Sequence, residues 1–285
     1  MMTLLYWLKE IERSGHLPIC SSYLLFGDKP ITALMTSTLA NTFPTEEGLA
    51  EIKLEMNKQG YFIATYLRFI APVINYELYA KAIALLDKGR LPSFSRFVRL
   101  LEQVTAPELM PFVEYWNSHP EHFEAYLIMQ ASYRDHHAYR HGLFQHSVEV
   151  AELAYSNAIN LRHSPIECQI ALLAGLFHDL GKVYSQSEAN IETYQTGTHE
   201  CLNFSLLAEP LKFLADQDWD AHRMFSSMLA PYQQYRSEQY AVESIFRFAD
   251  HVSCTSDRTH VLFSGKPAHF RFLKNGDKMV RRLTN

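Results

Sequence analysis

The sequence predicts a mainly α-helical protein that ends in a small β-hairpin. The chain has 285 residues, of which 47% are hydrophobic and 13% aromatic, enough for a large buried core and too many for a disordered chain. Apolar residues recur at helical spacing along most of its length. Residues 258–285 instead alternate apolar and polar side chains around Asn275-Gly276, a dipeptide typical of a tight hairpin turn.

Residues 1–118 are predicted to form a helical accessory region. Leu4, Leu5, Leu8 and Ile11 lie at helical spacing, and Thr45 followed by two glutamates resembles a helix start. Further helices are predicted over 61–86, with a boundary at Pro72, and over 93–104 and 106–116. Only residues 22–26 suggest a short strand. This region contains no pattern of metal-ligating or nucleophilic residues.

Residues 119–257 are predicted to form a second helical region. A helix over 123–132 is followed by one that starts at Leu143. The sequence Ser164-Pro165-Ile166-Glu167 has the N-cap, the first-position proline and the third-position glutamate of a capping box. The helix that it starts would run through Phe177, and Gly181 would stop the chain from continuing as a helix.

The remainder of this second region contains a polar loop and three helices. The loop is predicted over 183–197, and the helices begin near His199, span 219–229 and span 237–254. The last of these carries Asp250 beside an apolar stripe, where a carboxylate needs a partner because burying it unpaired is costly. The remaining residues, 258–285, are predicted to form strands from residue 259 onward.

Histidine is concentrated in the second region, since eleven of the 14 histidines lie between His119 and His251. The adjacent pair His178-Asp179 offers an imidazole and a carboxylate, a mixture that suits Zn, Mn, Fe or Ni. Two residues alone do not hold a metal, and His146 and Asp250 on flanking predicted helices would complete a set of four ligands.

This ordered set resembles the HD superfamily of metal-dependent phosphohydrolases. The resemblance covers roughly residues 130–255 and implies a helical bundle in which His146, His178, Asp179 and Asp250 bind a divalent transition metal. It implies one or two ions, with Asp179 as the bridging ligand and with His199 and His222 as candidate ligands of a second ion. A bound metal would activate water and stabilise negative charge on phosphate oxygens.

The resemblance also suggests substrate contacts. Lys182 would contact a substrate phosphate, although a cation that only complements a helix C-terminus is an alternative. Four residues would line the pocket mouth and one of them, His141 foremost, could act as a general acid; these are His136, His137, Arg140 and His141. His199 and His222 could instead be helix-terminal or surface histidines, or contacts to the substrate phosphate.

The segment HHAYRHGLFQHS resembles one HD subgroup more than others. That subgroup includes the N-terminal, TraI-like region of MobH-class conjugative relaxases and the YhaM-like exoribonucleases. The subgroup often has two glycines where this chain has His141-Gly142, so the turn geometry or the neighbouring substrate contacts are expected to differ.

Three functions therefore remain open at the sequence level. The first is a metal-dependent phosphodiesterase or phosphomonoesterase acting on a nucleotide or nucleic acid. The second is an HD-fold module that binds nucleotide or nucleic acid without physiological turnover, for example as a component of conjugation. The third is cleavage of DNA or RNA strands.

Composition bounds these alternatives. The formal net charge of −5 and a pI near 6.3 argue against a broadly basic nucleic-acid surface, although basic residues gather in the tail. The four cysteines form no CxxC pair, which favours reduced thiols over a disulfide or zinc framework. No stretch approaches the ~20 apolar residues of a membrane span, and we expect a cytoplasmic protein without membrane partners.

Overall fold

The computed structural model describes residues 4–12, 19–24, 30–42, 48–70, 73–87, 89–185, 198–231, 239–275 and 278–283. The chain folds into two units, each with its own core. One comprises Met1–Gln103 with Val113–Glu124, and the other comprises Val104–Phe112 with Ala125–Asn285. The division of the chain at residues 118 and 257 stays a prediction.

The first unit begins with a closed five-stranded β-barrel. Its strands are β1 (Leu4–Glu12), β2 (Ile19–Leu24), β3 (Pro30–Leu34), β4 (Gly48–Met56) and β5 (Phe62–Phe69), and the short helix α1 (Ser37–Ala40) separates β3 from β4. The order around the barrel is β1-β2-β3-β5-β4, with β4 returning to pair with β1. Three consecutive strands and a fourth beside the first constitute a Greek key.

The barrel corrects the prediction of helices in the first 70 residues. Leu8 and Ile11 are both buried, which fits a helical stripe, but a β-bulge between Leu8 and Glu10 produces the same spacing in a strand. In β5 the buried residues Ala64 and Leu67 are again three apart, on either side of a second bulge at Thr65 of this strand. The bulges therefore gave strands the apparent periodicity of helices.

Two further predictions change in this region. Gly48 begins β4 and not a helix, while residues 45–47 and Pro72 lie outside the described residues. The short strand predicted over 22–26 corresponds to the end of β2, of which residues 25 and 26 are not described.

An ion-pair network lies on β4 and β5. The Glu51 carboxylate is buried and contacts Arg68 at 3.1 Å and Arg99 at 3.3 Å. Arg68 also contacts Glu102 at 2.9 Å, so both arginines neutralise a carboxylate that would otherwise be costly to bury.

Helices complete the first unit, as predicted for residues beyond 75. These are α2 (Tyr76–Leu85) and α3 (Leu91–Leu101), together with most of α4 (Met110–Ser118) and the first part of α5 (Pro120–Ile128). Buried aromatic side chains form their core, with Phe97 contacting Phe94, Trp116 and Phe123 at ring-centroid distances of 5.9–6.2 Å.

The second unit contains the long helices of the chain. Its elements are α6 (Gly142–Asn160), α7 (Pro165–Phe177), α8 (Lys182–Ser185), α9 (His199–Leu206), α10 (Ala208–Gln217), α11 (Trp219–Leu229), α12 (Ala241–Phe263), β6 (Phe272–Asn275) and β7 (Lys278–Arg281). Helix α6 packs along both α7 and α12. The predicted capping box of α7 is present, with Ser164 and Glu167 each bonded to the other's backbone N–H.

The end of the chain is partly as predicted. Strands β6 and β7 pair antiparallel, which confirms the hairpin, although Gly276 of its turn lies outside the described residues. The strand predicted from residue 259 is wrong, because α12 continues to Phe263. Arg282, one of the basic residues of the tail, donates to the carbonyls of Phe270 and Pro267, which ties this side chain to the local backbone.

The fold class is therefore mainly α with a C-terminal hairpin, as the sequence predicts. The exception is the β-barrel that replaces the first helices of the accessory region. Among the described residues, no helix combines the length and the apolar character that crossing a membrane requires.

Candidate metal centre

A cavity of about 230 Å³ in the second unit contains all four predicted metal ligands. His146 comes from α6, His178 and Asp179 follow the last turn of α7, and Asp250 comes from α12. The three longest helices of this unit thus each contribute to one cluster.

The donor atoms of these residues lie close together. His146 Nε2 is 3.2 Å from His178 Nε2, 3.3 Å from Asp250 Oδ1 and 3.7 Å from Asp179 Oδ2. His178 Nε2 is 3.5 Å from Asp179 Oδ2 and 3.9 Å from Asp250 Oδ1. A tetrahedral centre with metal–ligand distances of 2.0–2.2 Å separates its donor atoms by ~3.3–3.6 Å. These five distances are therefore close to the spacing expected around one ion.

Hydrogen bonds determine the tautomer of His178. Its Nδ1 lies 3.0 Å from the carbonyl oxygen of Gly175, which can only accept, so Nδ1 carries a proton. Burial lowers the pKa of His178, and the ring is therefore neutral near pH 7. Its Nε2 then presents a lone pair to the cluster.

A relay determines the tautomer of His146. Ser253 Oγ donates to Glu149 Oε2 at 2.7 Å, so it accepts from His146 Nδ1 at 3.1 Å. Burial would raise the pKa of Glu149, but bonds from His137, Gln145 and Ser253 lower it to about 2. The carboxylate is consequently ionised, and His146 Nε2 is left as an acceptor.

Two acceptor nitrogens 3.2 Å apart repel each other unless a proton or a cation lies between them. Metal-binding histidines typically donate their second ring N–H to a neighbouring acceptor, as both rings do here. The nitrogen and carboxylate donors fit a borderline divalent metal. A bound metal would thus satisfy the side chains that face the cavity.

Asp179 is the most highly connected carboxylate of the cluster. Its Oδ2 lies 2.6 Å from Lys182 Nζ, and its Oδ1 lies 3.0 Å from His199 Nε2. Burial would raise the pKa of Asp179, but Lys182 and the neighbouring histidines hold it well below its usual range. For Asp250, burial is likewise outweighed by His146 and His178, and its pKa is lowered.

The turn after α7 is held by close backbone contacts. Asn203 of α9 accepts from Gly181 N–H at 2.6 Å and donates to the His178 carbonyl. A Cβ on Gly181 would lie 2.0 Å from the backbone oxygen of His199, so only glycine fits. Gly181 was predicted to stop the helix. In the structure it also lets the backbone of α9 pack closely against this turn.

The predicted residues of the pocket mouth separate into three environments. His136 lines the cavity, and burial together with His146 lowers its pKa to about 4. His137 is buried behind His146 and contacts Glu149 at 3.2 Å. Arg140 is exposed and does not line the cavity.

His141 also lies outside the cavity lining. It precedes α6 in a left-handed conformation, with φ of 70°, and its Nδ1 bonds the carbonyl of Leu127 at 2.7 Å. A Cβ on Gly142 would lie 1.9 Å from the His137 oxygen. The histidine therefore takes the backbone conformation that glycine favours, while Gly142 is required for close packing.

The structure places His222 away from the cluster. On α11 the residues that line the cavity are Met228 and Leu229, and His222 lies six residues earlier, ~9 Å along the helix axis. It stacks on Trp219 and contacts Ser226 Oγ at 3.3 Å, as a helix-surface histidine does. The alternative of a surface histidine fits this position.

Several residues of the site were not predicted from the sequence. Arg247 and Glu200 line the cavity, and Ser253 and Glu149 form the relay behind His146. Helical spacing could have indicated Arg247, which precedes Asp250 by three residues, and His146 precedes Glu149 by the same interval. No sequence pattern links α6 to Ser253.

Replacing Ser253 by alanine is expected to weaken metal binding by about 10- to 100-fold, because His146 loses the acceptor that fixes its tautomer. Isothermal titration of the purified protein with Mn²⁺ measures the change. Ser156→Ala, at an exposed position of α6, is the matched control and should bind as the wild type does. Equal affinities in all three proteins would show that the relay does not orient His146.

The fold and the donor set define a class: a helical domain whose buried histidines and aspartates could hold a divalent metal. Residues 143–253 match the family model described as the HD domain, which supports the resemblance to the HD superfamily. HD domains are helical, bind divalent metals and are in general metal-dependent hydrolases. No curated protein and no solved structure matches the chain.

Proposed function

We propose that the protein is a phosphohydrolase whose metal is held by His146, His178, Asp179 and Asp250. The observation that carries this proposal is the pair of acceptor nitrogens, His146 Nε2 and His178 Nε2, at 3.2 Å within a cluster of two carboxylates. When bound, the metal supplies an activated water and a Lewis acid for a phosphate oxygen.

The residues of the chain then have distinct roles. Ser253 and Glu149 hold the His146 ring, and Gly175 holds the His178 ring, so that both nitrogens face the metal. We assign Lys182 to orienting Asp179, because its ammonium is buried and lies 2.6 Å from that carboxylate. His136 is kept neutral near pH 7 by its lowered pKa, so its ring can accept a hydrogen bond at the cavity wall.

We propose one ion at the primary position. Among the described residues, every group of three ligands close enough to bind a metal includes His146. His199 and Glu200 lie on the other side of Asp179 and could bind a second ion only together with its Oδ1, whereas His222 does not line the cavity. Metal stoichiometry decides between one and two ions.

The substrate that we propose is a phosphoester of a nucleotide. The support for this substrate is the subgroup resemblance to MobH-class relaxases and YhaM-like exoribonucleases, which stays a prediction and favours a substrate built from nucleotides.

Nucleic acid is the second candidate, and the β-barrel favours it. Five-stranded Greek-key barrels include folds that bind oligonucleotides, and aromatic side chains on such barrels stack on bases. Tyr61 and Tyr66 of the barrel expose 60% and 40% of their surface, enough to stack on a base. The same barrel supports the alternative of a binding module without turnover, for which the fold alone is only an analogy.

The hydrolase proposal is tested with protein purified without chelator, then stripped and reloaded with Mn²⁺, Fe²⁺, Ni²⁺ or Zn²⁺. We expect about one equivalent of metal and metal-dependent hydrolysis of bis(p-nitrophenyl) phosphate that chelation removes. Metal binding without hydrolysis of any phosphoester would favour the binding module. Absence of metal binding would refute the centre itself.

The barrel candidate predicts salt-dependent binding of a fluorescent single strand, measured by anisotropy. Replacing Tyr61 and Tyr66 by alanine should weaken binding by ~1–3 kcal/mol for each base that stacks on a removed ring. Tyr133→Ala removes a comparably exposed tyrosine from the other unit and should leave binding unchanged. Equal affinity of the double variant and the wild type would exclude these tyrosines as a stacking surface.

A further inference from the structure

Arg247 lies on the same face of α12 as the metal-site aspartate. It precedes Asp250 by three residues and Cys254 by seven, and all three side chains line the cavity. Residues three apart on a helix have Cβ atoms ~5–6 Å apart. The side chains of Arg247 and Asp250 therefore leave α12 within one helical turn of each other and line the same cavity.

Two backbone carbonyls hold the guanidinium at the cavity wall. Its Nη2 donates to the oxygens of Ser227 and Ala230, each at 3.1 Å, at the end of α11. The guanidinium carbon also lies 5.1 Å from the ring centre of Phe246, whose ring contacts that of His178. These contacts fix the plane of the guanidinium before any ligand arrives, which reduces the entropy lost on binding.

The other permanent cation among the described residues that line the cavity, Lys182, is differently placed. Lys182 is only 8% exposed and its Nζ lies 2.6 Å from Asp179 Oδ2, so its position is set by the metal ligand. Arg247 is half-buried, and its Nη2 donates to two backbone carbonyl oxygens. Its hydrogen bonds to a phosphate would therefore come from Nη1 or Nε, and a guanidinium keeps its charge at every pH at which the protein is folded.

We propose that Arg247 binds the phosphoryl group of the substrate, donating to its non-bridging oxygens beside the metal. This inference rests on the hydrolase proposal for its substrate, but it concerns phosphate binding and can be tested without turnover. It replaces Lys182 as the principal phosphate contact. It also gives the end of α11 a function, because Ser227 and Ala230 aim the side chain.

The test is titration of the Mn²⁺-loaded protein with inorganic phosphate, with metal content and melting temperature measured on every variant. Arg247→Gln should retain metal and bind phosphate about 10- to 100-fold more weakly. Arg247→Lys keeps the positive charge but removes the planar guanidinium, and it should lose less phosphate affinity than Arg247→Gln. Arg258→Gln, which removes an arginine of α12 outside this cavity, is the control and should bind as the wild type does.

The possible outcomes separate the two proposals. Phosphate affinity within twofold of the wild type in Arg247→Gln, or no phosphate binding by the wild type, overturns the assignment of Arg247. If Arg247→Gln loses metal or unfolds, the phosphate affinity of Arg247→Lys decides. An affinity equal to that of the wild type overturns the assignment of Arg247, and a lower affinity supports it. If Arg247→Gln loses phosphate binding but keeps metal, and the wild type hydrolyses no phosphoester, the assignment of Arg247 stands and only the hydrolase proposal is refuted.

Discussion

Asp179→Asn is expected to abolish metal binding and to lower phosphodiester hydrolysis by at least about 10³-fold. The substitution keeps the size of the side chain but removes the charge of a carboxylate whose Oδ2 lies 3.5–3.7 Å from both metal-facing nitrogens. Metal analysis and hydrolysis of bis(p-nitrophenyl) phosphate measure the two losses. Asp216→Asn, at an exposed position of α10, should change neither. Full activity of Asp179→Asn would remove this residue from the catalytic centre.

The same substitution should destabilise the metal-free protein. Lys182 is buried and loses the carboxylate that it contacts, a change that costs ~3–5 kcal/mol when a buried ion pair is broken. The pKa of Asp179 is lowered from its ordinary value of 3.8, so its contribution is present above that pH and is lost as the pH falls through the folded pKa. Denaturant unfolding at pH 7 and below pH 4 should therefore show a difference from wild type that shrinks in acid.

Gly175→Ala is expected to reduce the free energy of unfolding by about 3 kcal/mol, at the upper end for overpacking a core. An added Cβ would lie 2.4 Å from Ala151 Cα and 2.5 Å from Ala151 N, which are backbone atoms of α6. The helices α6 and α7 would have to separate, and these helices position His146 and His178. Metal affinity should fall together with stability, as calorimetry and denaturant unfolding would show.

A double variant tests the cause of that loss. Ala151→Gly removes the side-chain contact at 2.9 Å but leaves both shorter backbone contacts, so it should not rescue Gly175→Ala. Rescue by Ala151→Gly would show that only side chains collide. An unchanged melting temperature in Gly175→Ala would mean that α6 and α7 are less closely packed at Gly175 and Ala151 than they are in the structure.

The metal cluster was predictable because its residues belong to short, strongly patterned segments. The capping box at Ser164 fixes where α7 begins, and its apolar run ends at His178-Asp179. His146 and Asp250 lie beside apolar stripes of their own helices. Local periodicity therefore places each ligand near the interior, and in the structure His146 Nε2 lies 3.2–3.7 Å from donor atoms of the other three.

The β-barrel was not predictable by the same reasoning. The bulge between Leu8 and Glu10 and the one at Thr65 give the strands buried residues three apart, a spacing that also indicates a helix. Pairing with strands distant in the sequence determined that these segments form a barrel and not helices, and a local pattern contains no information about that pairing.

The sequence by itself determined the helices around the pair His178-Asp179 and the C-terminal hairpin, because each depends on contacts within a few residues, and its resemblance to the HD superfamily indicated the four candidate ligands. The tertiary structure alone decided that Ser253 supports His146, that Arg247 faces the cavity and that His222 does not. Those facts depend on how one helix is rotated against another. That rotation is set by the packing of whole surfaces, such as the approach of Gly175 to Ala151, and not by local periodicity.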